Sequence, residues 1–281
     1  MSNPRLYLPL EILDCIVDLL YTQREALKQC CLVSKSWVPR TRKYLFADIK
    51  FQSPGDLKAW RETFPDPANS PAHHTHSLLV GCLQIATAAY AEEGSWIRTF
   101  HNVTRLEVWS SGGSLGRLEG PLVPFHNFSP VLKSLHVVSN NLRYSQVFDL
   151  ICSLPLLEDL SIMSHGMDRC DDEEAAFQPS TSPALTGTLV FYFPHGMKHA
   201  ARRLLAVPNG LRFRKLVWTW FREEDVPWTE ALVVGCYDTL EYVDIECCLS
   251  SASLRLLRWG QCLTGTLIFT RNCMGGFNRL V

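Results

Sequence analysis

The sequence predicts an α/β chain in two parts: a short N-terminal bundle of three helices over residues 1–46, then an irregular α/β solenoid with a parallel sheet over residues 47–281. Three observations predict it. An apolar-x-x-Leu-x-apolar template returns nine times along the chain. The segments before its first copy carry apolar residues at helical spacing. A length of 281 residues at 47% hydrophobic supplies a sizeable core for one or two domains.

The helices come first. "PLEILDCIVDLLY", residues 9–21, places Pro9 in a first turn, where its missing N–H displaces no bond. Leu10, Leu13, Val17 and Leu20 fall on one stripe, and Ile12, Ile16 and Leu19 on a second beside it, more apolar face than a single neighbour covers. A second helix is expected over residues 24–33. Ser34 or Ser36 can cap a third, and a cap at Ser36 puts Pro39 at the third helical position. A unit of roughly 40 residues rarely folds stably alone, so it should lean on the rest of the chain and on a partner.

The template then reads Phe46/Ile49/Phe51, Val103/Leu106/Val108, Leu132/Leu135/Val137, Leu157/Leu160/Ile162, Phe213/Leu216/Trp218 and Leu240/Val243/Ile245. Copies with Thr in the first slot are Thr75/Leu78/Val80, Thr186/Leu189/Phe191 and Thr264/Leu267/Phe269. Successive anchors lie 29, 28, 29, 25, 29, 27, 27 and 24 residues apart, inside the ~20–29 period of leucine-rich repeats. Each interval leaves room for a strand, a turn and a helical or irregular return, as in "YSQVFDLICSLP", where Val147, Leu150, Ile151 and Leu154 keep helical spacing. A right-handed solenoid follows from such units; a doubly wound α/β domain with coincidentally even spacing is the alternative.

The repeats are irregular: only Asn140, Cys248 and Asn272 supply the Asn or Cys expected five places after an anchor. The sequence ends at "NCMGGFNRLV" with no polar capping repeat, so the last strand is expected to be frayed or covered from outside the chain. The acidic, then Ser/Pro-rich stretch 167–183 reads as a solvated loop.

With 27 Lys plus Arg against 28 Asp plus Glu, the formal charge of −1 steers the molecule toward neither nucleic acid nor membrane. No run reaches the ~18 apolar residues of a bilayer span, and the N-terminus lacks a signal-peptide core. Eleven cysteines without a CxxC argue against a disulfide framework and a zinc ribbon; most are expected to be buried thiols in a reducing, intracellular compartment.

Motifs with catalytic associations fail on context. "GGSLG", Gly112–Gly116, fits G-x-S-x-G but continues into Gly120, Pro121 and Pro124 rather than a helix; a serine hydrolase using Ser114 with His136 is an alternative, and a glycine-rich turn the preferred reading. "HGMKH" spaces His195 and His199 for a metal but puts Gly196 where a catalytic Glu belongs. "DRCDDEE" lacks the alternating ligands of a calcium loop. The cations and tryptophans of "ARRLLAVPNGLRFRKLVWTW" are read as a core strand, with Trp218 inward, and basic edges rather than a nucleic-acid surface. No enzyme activity, cofactor or metal is expected.

Residues 6–46 resemble an F-box. Leu8, Pro9, Glu11 and Ile12 match its Leu-Pro-x-Glu-Ile/Leu opening; Cys30, Val33, Ser34, Lys35 and Trp37 match its Cys-x-x-Val-Ser-Lys-x-Trp centre; Arg42, Leu45 and Phe46 match its exit into a repeat strand. The resemblance, coupled to the repeats, implies a substrate-recognition subunit of a Skp–cullin–F-box ubiquitin ligase, with a Skp-type linker, through it a cullin, and a protein substrate as partners. By that analogy Leu8, Pro9, Ile12, Ile16, Leu27, Val33 and Trp37 face or support the linker, and Trp37 with Val33 helps bury the bundle. A repeat scaffold without a ligase role is the competing reading. Template residues pointing inward leave Glu107, Trp109, His136, Met163, Tyr192, Thr219, Asp244 and Glu246 on the strand-side surface, a site expected to suit a basic peptide with an apolar anchor.

Overall fold

The computed structural model describes residues 9–81, 97–110, 125, 130–139, 144–164, 183–192, 197–207, 209–221, 223–247 and 266–271. Helix α1 spans Leu10–Leu19, its first turn starting from the Pro9 carbonyl, which accepts the N–H groups of Ile12 and Leu13. Helix α2 spans Arg24–Val33, the bounds expected from the sequence. Helix α3 spans Val38–Leu45 and corrects the expected cap: Trp37 holds the N-cap position, no side chain caps it, and Pro39 falls in the second helical position. Ser34 and Ser36 are spent on a turn instead, their hydroxyls 2.9 Å apart and the Ser34 Oγ accepting the Ser36 N–H. α2 packs on α3, and α1 touches α3.

Strands β1 Asp48–Phe51, β2 Ser77–Val80, β3 Arg105–Ser110, β4 Ser134–Ser139, β5 Asp159–Ser164, β6 Thr188–Tyr192, β7 Lys215–Phe221, β8 Tyr242–Cys247 and β9 Thr266–Arg271 form one open, all-parallel sheet in chain order. Its register aligns every expected anchor: Ile49, Leu78, Leu106, Leu135, Leu160, Leu189, Leu216, Val243 and Leu267 pair in one line from edge to edge. A second line two residues on runs from Phe51 through Val80, Val108, Val137, Ile162, Phe191 and Trp218 to Ile245. Both lines are buried as far as β8. Alternation in a strand sends residues i and i+2 to the same face, which is why a template with period two produces two continuous apolar rows.

Strands β2 to β5 each begin on a shared acceptor. The Ala47 carbonyl takes the N–H groups of His76 and Ser77, the His76 carbonyl those of Thr104 and Arg105, the Thr104 carbonyl those of Lys133 and Ser134, and the Lys133 carbonyl those of Glu158 and Asp159. Among the described residues the pattern changes at β6. At β6 the Glu158 carbonyl receives only Gly187, and the Thr188 N–H turns to the Asp159 Oδ1 at 2.7 Å.

Returning segments cover the anchor face. Helix α4, Pro54–Thr63, opens with a capping box in which Ser53 and Asp56 satisfy each other's backbone N–H groups; the Ser53 N–H, then the Gln52 N–H, holds the Asp56 carboxyl below the usual range. Helix α5, Tyr144–Cys152, buries Val147, Leu150 and Ile151, as its spacing predicted. Helices α6, Met197–Leu205, and α7, Val226–Gly235, pack on each other and add Ala200, Ala201, Leu204, Leu232 and Val233 to the same continuous core. Phe46 joins α3 to this core, edge-on to Trp60 at 5.9 Å and to Phe64 at 5.8 Å.

Candidate functional site

The N-terminal helices enclose a small interior of Val17, Leu27, Cys30 and Thr41. Polar groups tie it together. Asp18 on α1 accepts from Arg40 Nε at 2.7 Å and Tyr44 Oη at 2.7 Å, both on α3, and its second oxygen pairs with Arg40 Nη2. The guanidinium bond first, then the phenol, holds the Asp18 carboxyl down at about 2; the Arg40 pKa is raised by the same carboxylate and that of Tyr44 by the bond it donates. A depressed carboxyl stabilises the fold above its unfolded value of ~3.9, and that contribution is lost as pH falls through the folded value. An acid titration followed by circular dichroism is therefore expected to show a loss of stability between about pH 4 and 2 that Asp18→Asn flattens.

Outside this interior the helices present apolar side chains to solvent. Leu10, Ile12, Leu19, Leu32 and Val33 are all exposed, Leu19 and Leu32 by about four-fifths. Of the linker-facing candidates, Pro9, Ile12 and Val33 are exposed, Ile16 and Trp37 half-buried, and Leu27 is buried; Leu8 lies outside the described residues. Val33 therefore does not help bury the bundle: it is 68% exposed, because α2 turns its Leu27–Cys30 side to α3. Leu27 supports from within rather than facing outward. Leu10, Leu19 and Leu32 were missed, although the second stripe of α1 already contained Leu19.

The other candidate surface is the sheet face opposite the helices. Register places Glu107, His136, Ser161, Val190, Val217 and Asp244 in one row and Trp109, Val138, Met163, Tyr192, Thr219 and Glu246 in the next. Trp109 is 43% exposed, its Nε1 donating to Glu107 Oε1 at 2.6 Å. Glu107, His136, Met163, Tyr192, Thr219 and Asp244 are half-buried, and Glu246 is described by its backbone alone. The Tyr192 ring reaches back toward His136, centroids 6.2 Å apart. Burial, helped by the Arg105 charge and opposed by Glu107, pushes the His136 imidazole below its ordinary pKa. Sequence reasoning passed over Val138, Val190, Val217 and Ser161; strict alternation from the same anchors would have included them.

Trp218 is fully buried, as its inward slot required, while the Trp220 side chain is outside the described residues. His199 stacks on Tyr144 at 6.3 Å, and His195 lies outside, as do Gly112–Gly116 with Ser114, the stretch 167–182, Asn140, Cys248, Asn272 and the segment after β9. Cys30, Cys152 and Cys236 are buried, and burial pushes the thiols of Cys152 and Cys236 up to about 11, where they are protonated and unreactive at neutral pH; Cys15 is exposed. Among the described residues no helix is long and apolar enough to cross a membrane. No protein-family model, curated protein or solved structure matches the chain. The functional reading therefore stands on its own residues.

Proposed function

We propose that this chain is the substrate-recognition subunit of a Skp–cullin–F-box ubiquitin ligase. The N-terminal helices act as the F-box that binds a Skp-type linker, and through it a cullin. The sheet and its returns act as an irregular leucine-rich-repeat solenoid that selects the protein to be ubiquitinated, with no catalytic residue of its own.

One observation carries the reading most of the way. The residues that match the F-box pattern at Ile12 and Val33 are exposed, alongside Leu10, Leu19 and Leu32, on helices whose small interior closes without them. Apolar surface of that density is what an obligate partner covers. The uninterrupted run of nine anchors in register supports a repeat architecture behind it.

Capture of purified Skp-type linker by the full chain tests the proposal. The parent is expected to form a complex, and Pro9→Ala combined with Ile12→Asp to weaken it by ~30-fold or more, the equivalent of about 2 kcal/mol for a charge placed at an interface anchor. Both side chains are exposed, so the variant should keep the parent's circular dichroism. Absence of a complex, or one that ignores the double substitution, would sink the ligase reading and leave a repeat scaffold.

A further inference from the structure

On the sheet face opposite the helices, Trp109, Val138, Met163, Val190, Tyr192 and Val217 are contiguous across five successive strands, β3 to β7. The buried side chains of α4, α5, α6 and α7 belong to the core on the opposite face, so none of these helices lies over the stripe. His136, in its middle, stays neutral through burial, which keeps the stripe uncharged at neutral pH.

At the β8 end the stripe meets Asp244, paired in register with Val217. Its Oδ2 receives one long bond from Tyr242 Oη at 3.4 Å, while its Oδ1 is buried with no hydrogen-bond partner. Lys215, on the same face of β7, is drawn over the Tyr242 ring, Nζ 4.6 Å from the centroid, and among the described residues no cation forms an ion pair with the carboxylate. A buried carboxylate oxygen left without a donor is costly, and such atoms are nearly always paired. The other end differs. Glu107 already holds the Trp109 indole N–H, and Arg105 stands two residues before it on the same strand, so a second cation gains little there.

We propose that this face binds an extended protein segment whose aliphatic or aromatic side chains lie over the stripe from Trp109 to Val217, and whose single lysine or arginine pairs with the half-buried Asp244 carboxylate. This rests on the reading of the sheet face as the substrate surface and names the class of substrate. Five strand steps of ~4.8 Å from β3 to β8 span about 24 Å, the length of about seven extended residues. The cation sits at the β8 end of that segment.

Fluorescence anisotropy with three synthetic nine-residue peptides tests it. They share one apolar core and differ only in a terminal lysine, glutamine or glutamate. The full chain is expected to bind the lysine peptide at least tenfold more tightly than the glutamate peptide. Asp244→Asn should abolish that difference while leaving the apolar contribution, and Trp109→Ala should weaken all three. Neither substitution touches the N-terminal helices, so linker capture should persist in both variants. Equal binding of the lysine and glutamate peptides, failure of all three to bind, or a lysine preference that survives Asp244→Asn would overturn the inference. Linker capture without a charge preference defeats this proposal alone; a charge preference without linker capture defeats only the ligase reading.

Discussion

Replacing Trp218 by alanine is expected to cost about 3–5 kcal/mol of unfolding free energy, while Trp218→Phe stays within about 1 kcal/mol of the parent. The contrast follows from two facts about one side chain. Trp218 is fully buried and stacks on Phe191 with centroids 6.1 Å apart, so truncation leaves a cavity in the middle of the core. Its Nε1–H is buried with no acceptor, a standing penalty on the order of 1–3 kcal/mol. Phenylalanine keeps the aromatic stack and removes the orphaned donor, so the gain offsets most of the lost volume. Urea unfolding monitored by circular dichroism measures both variants. A phenylalanine variant as unstable as the alanine one would show that the indole's size, not its unsatisfied N–H, decides this position.

Gly81→Ala is expected to cost about 2–3 kcal/mol, more than Gly187→Ala at about 1 kcal/mol, although the added methyl comes nearer to its neighbour in the second case. At Gly81 a Cβ would stand 2.9 Å from the Gln52 Cα and 3.2 Å from the carbonyl oxygens of Gln52 and Phe51. All three are backbone, and the Gly81 N–H is bonded to that same Phe51 oxygen at 2.6 Å, so neither strand can yield without opening the β1–β2 pairing. At Gly187 the Glu158 backbone carbonyl oxygen, at 3.1 Å, need give only a few tenths of an ångström, and the closest atom is the Asp159 Oδ1 at 2.3 Å, the end of a side chain that can swing aside. Doing so forfeits its bond to the Thr188 N–H, and one lost bond sets the scale. Differential scanning calorimetry on the two variants would reverse the argument if Gly187→Ala proved the more damaging.

Much of the backbone was legible because local periods encode it. The nine anchors are spaced by a repeat whose inward slots must be apolar, so reading the slots located every strand of the sheet and the order in which they pair. α2 was found at its observed bounds, since Gln23 and Ser34 flank an uninterrupted helical pattern. α3 was placed less well. Its start depended on whether the Ser34 and Ser36 hydroxyls would cap a helix or bond to each other, and both uses are locally acceptable.

The candidate surfaces were legible as sets of residues but not as inside and outside. Leu27 and Val33 are both apolar residues of one helix, and only the docking of α2 on α3 decides that the first is enclosed and the second displayed. The clamp of Arg40 and Tyr44 on Asp18 joins positions 22 and 26 residues apart with no periodic signal to connect them. On the sheet, picking aromatic and charged alternates found Trp109 and Tyr192 but skipped the valines between them.

By itself the sequence determined the fold class, the strand register and the apolar rows, because each depends on spacing along the chain and on side chains that must leave water. Tertiary structure alone decided which helix faces remain uncovered and that Asp244 is left with a buried, partnerless oxygen. Those properties depend on which segments distant in sequence come to lie beside a residue, and no local pattern records the neighbours it lacks.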